Sequence, residues 1–175
     1  MKTKSFILAV IATMCISNTS AQKLTYGSLS FLKDEEKLNV IIDYSDVLIQ
    51  GKSEKFIYAM NGEAWAKKWE AAKPVFYQRF NAHLNKNLNY SEGILLCGNF
   101  SDAQYTMTVA SISFGRNWDM KGEVIFTKTG DSTILAKFEL MGASRIHKGH
   151  EFFLVASSFS YAGQNLGQFL AKTIK

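Results

Sequence analysis

Between Glu63 and Leu88, the residues Trp65, Trp69, Ala72, Phe76, Phe80, Leu84 and Leu88 recur at steps of 4, 3, 4, 4, 4 and 4. That spacing predicts a helix over 63–88 with one apolar stripe at the 3.6-residue period. Lys67, Lys68, Glu70, Arg79 and Asn85 decorate the other side. A stripe carrying large aromatic rings has to be buried against a second layer, so this segment constrains the fold more than any other. Trp65 and Trp69 also suit stacking on a carbohydrate. They share the stripe with Phe76 and Phe80, however, and read as core, each contributing about 2–3 kcal/mol on burial. Pro74 lies inside the stretch. Lacking a backbone donor, it either kinks the helix or opens a second one.

A further helix is predicted over Glu151–Ile174, with Phe152, Val155, Phe159, Gly163, Leu166, Leu170 and Ile174 on one side. Glu151 near its start and Lys172 and Lys175 near its end complement the helix dipole. Ser157, Ser158, Ser160, Gln164, Asn165 and Gln168 make it too polar to span a membrane, so Gly163-x-x-x-Gly167 is not a membrane dimerisation motif. With Ala156 and Ala162 the two glycines form a small-residue strip, which is expected to pack closely on a sheet.

Other segments alternate with period two. Leu24–Leu32 and Leu38–Ile49 read as two strands around the charged turn Lys33–Lys37, with Leu38, Val40, Ile42 and Tyr44 on one face. Lys52–Met60 fits neither pattern, and Asn61-Gly62 interrupts the chain before the long helix. Ile94–Cys97 is a short strand candidate; Ala103–Phe114 is a longer one, rich in threonine and β-branched residues. Lys121–Thr129 and Thr133–Met141 flank Thr129-Gly130-Asp131-Ser132, whose Gly and Asp suit a hairpin turn. The order of two strands, helix, three or four strands and helix predicts a single α+β domain over residues 22–175. Its architecture is a two-layer sandwich, with a mostly antiparallel sheet of five or six strands covered on one face by two long helices.

Ahead of that domain, Met1–Ala21 has the three parts of a secretory signal. Lys2 and Lys4 form the basic start, Ser5–Ser17 the apolar centre, and Thr19-Ser20-Ala21 the small-residue site for cleavage between Ala21 and Gln22. The rival reading is a lipoprotein signal with Cys15 as the lipidated residue; Met14 stands where such sites favour a small residue. The chain is therefore expected to be exported, to the periplasm or beyond, with no transmembrane span in the mature part. Losing Lys2 and Lys4 lowers the formal charge from +5 to +3. The densest basic groups left, Lys67-Lys68 and Lys52/Lys55, do not make the clustered footprint that nucleic acid requires.

Groups able to do chemistry are few. Cys97, in the apolar run Ile94–Cys97, reads as a buried inert thiol with no neighbouring base. His147-x-x-His150 places two imidazoles in a loop before the last helix. Zinc sites need three or four ligands, and Glu151 is the only nearby carboxylate, so solvated loop histidines are expected rather than a metal site. His83 falls at the edge of the long helix's apolar face. The carboxylate pairs Asp34/Glu35 and Asp43/Asp46 are candidates for acid–base work, but in a continuous strand Asp43 and Asp46 face opposite ways. No nucleophile elbow, phosphate-binding loop or His-Glu-x-x-His motif occurs, and no catalytic, cofactor-binding or metal residue is assigned. Asn89-Tyr90-Ser91 and Asn99-Phe100-Ser101 match the N-glycosylation pattern and read as coincidental.

The second half resembles a pattern in small exported envelope proteins and lipoproteins. A Tyr-initiated strand (Ala103–Met107) is followed by a Trp-Asp turn (Asn117-Trp118-Asp119), a hairpin tip (Thr129–Thr133), a glycine-bearing loop (Gly142–Gly149) and an Ala/Gly-rich terminal helix (Asn165–Ile174). The whole mature chain is similar to uncharacterised secreted proteins of Bacteroidetes in its strand–Tyr44-Ser45–helix opening. Its architecture is similar to the curli-secretion lipoprotein and to TolB amino-terminal domains. The resemblance implies an envelope protein without known catalytic residues, so it carries over no active site. Asp131-Ser132-Thr133 resembles the short O-glycosylation acceptor pattern of exported Bacteroidetes proteins. The expected function is an exported, non-catalytic protein that binds an envelope protein or other envelope component through its sheet or loops, without a cofactor. The alternatives are a metal-dependent or other hydrolase using His147 and His150, and a small-ligand or lipid carrier.

Overall fold

The computed structural model describes residues 23–88, 95–144 and 149–174. The expected cleavage site at Ala21/Gln22, Cys15, Asn89–Ser91 and His147 lie outside those residues. The architecture is α+β, with a mixed sheet packed against helices. The strands are β1 (Lys23–Gly27), β2 (Lys37–Ile42), β3 (Leu48–Ile49), β4 (Lys52–Ser53), β5 (Leu96–Gly98), β6 (Tyr105–Phe114), β7 (Met120–Lys128) and β8 (Ile134–Gly142). The helices are α1 (Glu54–Asn61), α2 (Glu63–Leu88) and α3 (Glu151–Thr173). The sheet runs β1-β8-β7-β6-β2-β5, and the short β3–β4 pair continues beside the end of β6.

Three expectations about the sheet need correction. Leu24–Leu32 is a strand only as far as Gly27 and then forms a single 3-10 turn at Ser30–Leu32. β1 and β2 do not pair with each other: β1 lies antiparallel to β8 at one edge, while β2 lies parallel to both β6 and β5. The sheet is therefore mixed: β1, β8, β7 and β6 pair antiparallel as expected, while β2 is parallel to its neighbours because α2 carries the chain from β2 back to the same end of the sheet, as a parallel neighbour requires. Leu38–Ile49 breaks at a turn where Asp43 Oδ1 accepts the Ser45 N–H at 2.8 Å, giving β2 and β3. The ambiguous Lys52–Met60 becomes β4 and α1, and Ser53 caps α1 by accepting the Phe56 N–H.

The long-helix readings hold. α2 continues through Pro74 without ending there. Trp69, Phe76, Phe80, Leu84 and Leu88 are buried, Trp65 packs at the margin of the same core, and no ring of the stripe stands out in water. Aromatic contacts join the layers: Trp69 meets Phe114 of β6 edge-on at 6.1 Å, and Phe159 of α3 stacks on Phe76 at 5.4 Å. β6 keeps its apolar residues inward by a register shift between Ala110 and Ser113, where Ser111 takes φ 51°. Met107 and Val109 before the bulge and Ile112 and Phe114 after it all point into the core, which strict alternation would forbid.

The glycines of α3 pack on a helix rather than on the sheet. A Cβ at Gly163 would stand 2.2 Å from the Phe80 carbonyl oxygen, and one at Gly167 2.5 Å from that of Leu84. Both obstacles are α2 backbone, which cannot swing aside. Gly163→Ala or Gly167→Ala is therefore expected to force α2 and α3 apart. The cost is about 1–3 kcal/mol, or a fall of roughly 3–10 °C in Tm by thermal unfolding. Ala82→Ser on the exposed side of α2 is expected to change Tm by less than about 2 °C.

Candidate binding surface

With both long helices on the inward face, the outward face of the sheet is half-buried across its middle and exposed toward its edges. The register places Ile41, Thr108, Ile125, Lys137 and Tyr26 in one row across β2, β6, β7, β8 and β1. Ile41 is 45% and Tyr26 58% exposed. Beside this row Glu123 opposes Glu139, and Glu139 opposes Lys23; Lys137 Nζ reaches Glu123 at 4.0 Å. At the far end of β2 the outward face is closed by a polar chain. Asn39 Nδ2 donates to Thr106 Oγ1 at 3.2 Å, Thr106 and Thr129 share a hydroxyl bond at 2.9 Å, and the Phe100 N–H donates to Asn39 Oδ1 at 3.1 Å.

A second polar assembly clasps α1 to α2. Glu54, the first residue of α1, accepts the Trp69 indole N–H at 2.6 Å and the Lys73 ammonium at 3.2 Å. Lys73 also donates to Glu70 at 2.8 Å, and its Nζ sits 5.0 Å from the Tyr44 ring centre. Tyr58 sets its single O–H between Glu54 Oε2 and Glu70 Oε1, and the Trp65 indole donates to Glu151 of α3. Burial first, and then the Glu54 and Glu70 charges, raise Tyr44 well above an ordinary phenol. Burial together with the Glu70 hydrogen bond does the same to Tyr58. Burial pulls Glu70 upward, but the hydrogen bonds from Lys73 and Tyr58 and the Lys73 charge outweigh it and hold its carboxyl below the usual range. An open cleft of about 580 Å³ adjoins the clasp, lined by Ser45, Asp46, Val47, Leu48, Ser53, Glu54, Lys55 and Tyr58.

The residues singled out from the sequence are scattered. His150 occupies the exposed position before α3 without a side-chain capping bond, 4.9 Å from the Phe152 ring. His83 bonds through Nδ1 to the Arg79 carbonyl one turn back. Asp43 is spent on its turn and Asp46 lies at the cleft, so the pair shares no site. Asp131 accepts both the N–H and the hydroxyl of Thr133 at 2.9 Å on the exposed hairpin tip. Among the described residues no three of His, Cys, Asp and Glu are grouped to hold a metal, and no helix is long and apolar enough to cross a membrane. The Glu54–Trp69–Lys73–Glu70–Tyr58 clasp escaped sequence reasoning because Glu54 lies in the stretch with no clear period. The one available signal was Ser53 followed by Glu54 ahead of an apolar pair, a helix start.

The chain matches no family model and no curated protein. Among solved structures it resembles a PelC dodecamer from Paraburkholderia phytofirmans at 11% identity and a TM-score of 0.35. That match covers 83% of this chain and 96% of the other. A single-substitution variant of the same PelC matches at 9% identity and a TM-score of 0.36, covering 83% and 98%. At these scores the likeness says nothing about what this chain binds or does.

Two outcomes follow from the titrating groups. Glu70 has a folded-state value below 4.5, so its contribution is present above that pH and is lost as the pH falls through the lower folded value. Glu70→Gln is expected to lower Tm at about pH 7, and its difference from the parent is expected to close by about pH 3. Thermal unfolding across that range checks this. Burial pushes the Cys97 thiol up to about 12. It is therefore expected to resist a disulfide reagent at about pH 8 in the native state and to react once denatured; native reactivity at the denatured rate would contradict its placement.

Proposed function

We propose that this chain is an exported, non-catalytic protein of the cell envelope that binds another envelope component through the open face of its sheet. The observation that carries the reading is the outward row Ile41–Thr108–Ile125–Lys137–Tyr26, exposed at Ile41 and Tyr26 and half-buried between them. A sheet face that merely meets water is served by charged and hydroxyl side chains. Exposed Ile41 and Tyr26, spaced across the row, instead offer apolar anchors within a polar surround, the anatomy of a recognition patch. Export rests on the Lys2/Lys4 start, the apolar Ser5–Ser17 stretch and the small residues before Gln22.

The hydrolase reading lacks support of comparable weight, since His150 stands exposed beside Phe152. The carrier reading needs space between helices and sheet, where Trp69, Phe76, Phe114 and Phe159 pack against one another.

Photo-crosslinking residues placed at 41 and 125 in the exporting cells test the proposal, with position 78 on the exposed side of α2 as the control. A discrete crosslinked species at 41 and 125 but not at 78 is expected. Ile41→Lys should reduce its yield at least about tenfold while leaving Tm within about 2 °C. Equal crosslinking at all three positions would sink the sheet-face reading. An intact mass that includes residues 1–21 would sink export with cleavage before Gln22.

A further inference from the structure

Besides its apolar stripe, α2 carries a polar one in which Tyr77, Asn81 and Asn85 follow at steps of four. Such spacing puts them one above another on a helix. Asn85 closes its end of the stripe: its Nδ2 donates to the Cys97 carbonyl at 2.7 Å, and the Cys97 N–H donates to its Oδ1 at 2.8 Å. The amide thus supplies β5, the last strand of the sheet, with the two bonds that a neighbouring strand would give. The Asn85 Nδ2 also reaches the Asn81 carbonyl at 3.1 Å.

One and two turns back the accounting stops. Among the described residues, Tyr77 Oη and Asn81 Oδ1 are buried without a partner in good hydrogen-bonding geometry, and Asn81 as a whole is only 8% exposed. Asn81 stands one turn beyond Tyr77, and Asn85, a turn further on, is bonded to the Cys97 backbone, so the three positions share the α2–β5 seam. Burial raises the Tyr77 hydroxyl, and the Asn81 amide beside it partly offsets that. Buried polar atoms are seldom left in this condition, because a lost hydrogen bond indoors is not repaid by solvent.

We infer that Tyr77 Oη and Asn81 Oδ1 hold a single internal water molecule between α2 and β5. The chemistry selects the ligand. It must donate to the amide oxygen, must accept from or donate to the phenol, and must carry no charge in a seam that ends at the buried Cys97. Water meets all three conditions, and the Cys97 thiol offers it a weak third contact. The stripe then reads as a continuous polar seam. Asn85 bonds the strand directly, while Tyr77 and Asn81 extend the seam through water, so α2 meets the sheet edge by hydrogen bonds where its other face meets the core by apolar contact.

A high-resolution crystal structure of the exported protein tests this. A density peak within about 2.7–3.2 Å of both Tyr77 Oη and Asn81 Oδ1 is expected. An Asn81 amide turned so that Tyr77 donates directly to its oxygen, with no peak between them, would overturn the inference. In Tyr77→Phe the peak is expected to disappear and Tm to fall by about 2–4 °C; a peak that persists at full occupancy would also overturn it. Should that variant not fold, magnetisation transfer from a long-lived water to the Asn81 side-chain amide in the parent protein decides the matter by its presence or absence.

Discussion

The contact on which the rest of the structure depends is the backbone-to-backbone approach of α2 and α3. Gly163 faces Phe80 and Leu84, and Gly167 faces Leu84 and Leu88. The same α2 residues therefore turn their side chains into the core and their carbonyls toward the neighbouring helix. Small residues on one helix let two long helices share one sheet face instead of splaying over it. Only in that arrangement can Phe159 stack on Phe76 and meet Phe114 edge-on at 6.0 Å, filling the space between the layers. Gly142 repeats the device at the end of β8, where a Cβ would stand 2.2 Å from the Ser158 carbonyl oxygen. Helix against helix and helix against strand thus both rest on missing side chains.

Elements with a strong period were readable from the sequence. The stripe from Trp65 to Leu88 marked α2 to its observed ends, and the alternation of Val124 and Phe126 with Ala136, Phe138 and Leu140 marked the β7–β8 hairpin and its inward face. Pairing was not readable. The charged turn between Leu32 and Leu38 resembles a hairpin connection, yet β1 finds its partner in β8, more than a hundred residues away. Nothing local distinguishes the two outcomes, because the preference comes from which strand already has a free edge. The strip of Gly163 and Gly167 was visible as a close-packing signal, but its partner was not. A sheet and a helix are equally served by a missing Cβ.

The polar sites show the same division more sharply. Asn85 and Cys97 are twelve residues apart, Glu54 and Lys73 nineteen, and Lys37 and Asp102 sixty-five. No spacing rule reaches that far. Cys97 was readable as a buried thiol from its apolar neighbours alone. The reason it tolerates a strand edge, namely the Asn85 amide, belongs to the tertiary structure. Glu54 illustrates the converse: a carboxylate that looks like surface charge in the sequence is drawn inward because Trp69, Lys73 and Tyr58 together supply the donors that burial demands.

A common device connects these particulars. Where a strand ends or a turn departs from regular pairing, a side chain takes over the backbone's unmet bonds. Asn39 receives the Phe100 N–H, Asp119 receives the Ser144 N–H at 3.1 Å, and the buried Ser158 hydroxyl donates at 2.6 Å to the carbonyl of Trp118, whose φ is 62°. Each of these bonds lies at the end of a strand or in the connection beyond it. Polar groups placed there hold the described irregular parts at the margins of the sheet. Ile41 and Tyr26 thus stand at fixed separations on paired strands, which hold side chains more firmly than a loop does.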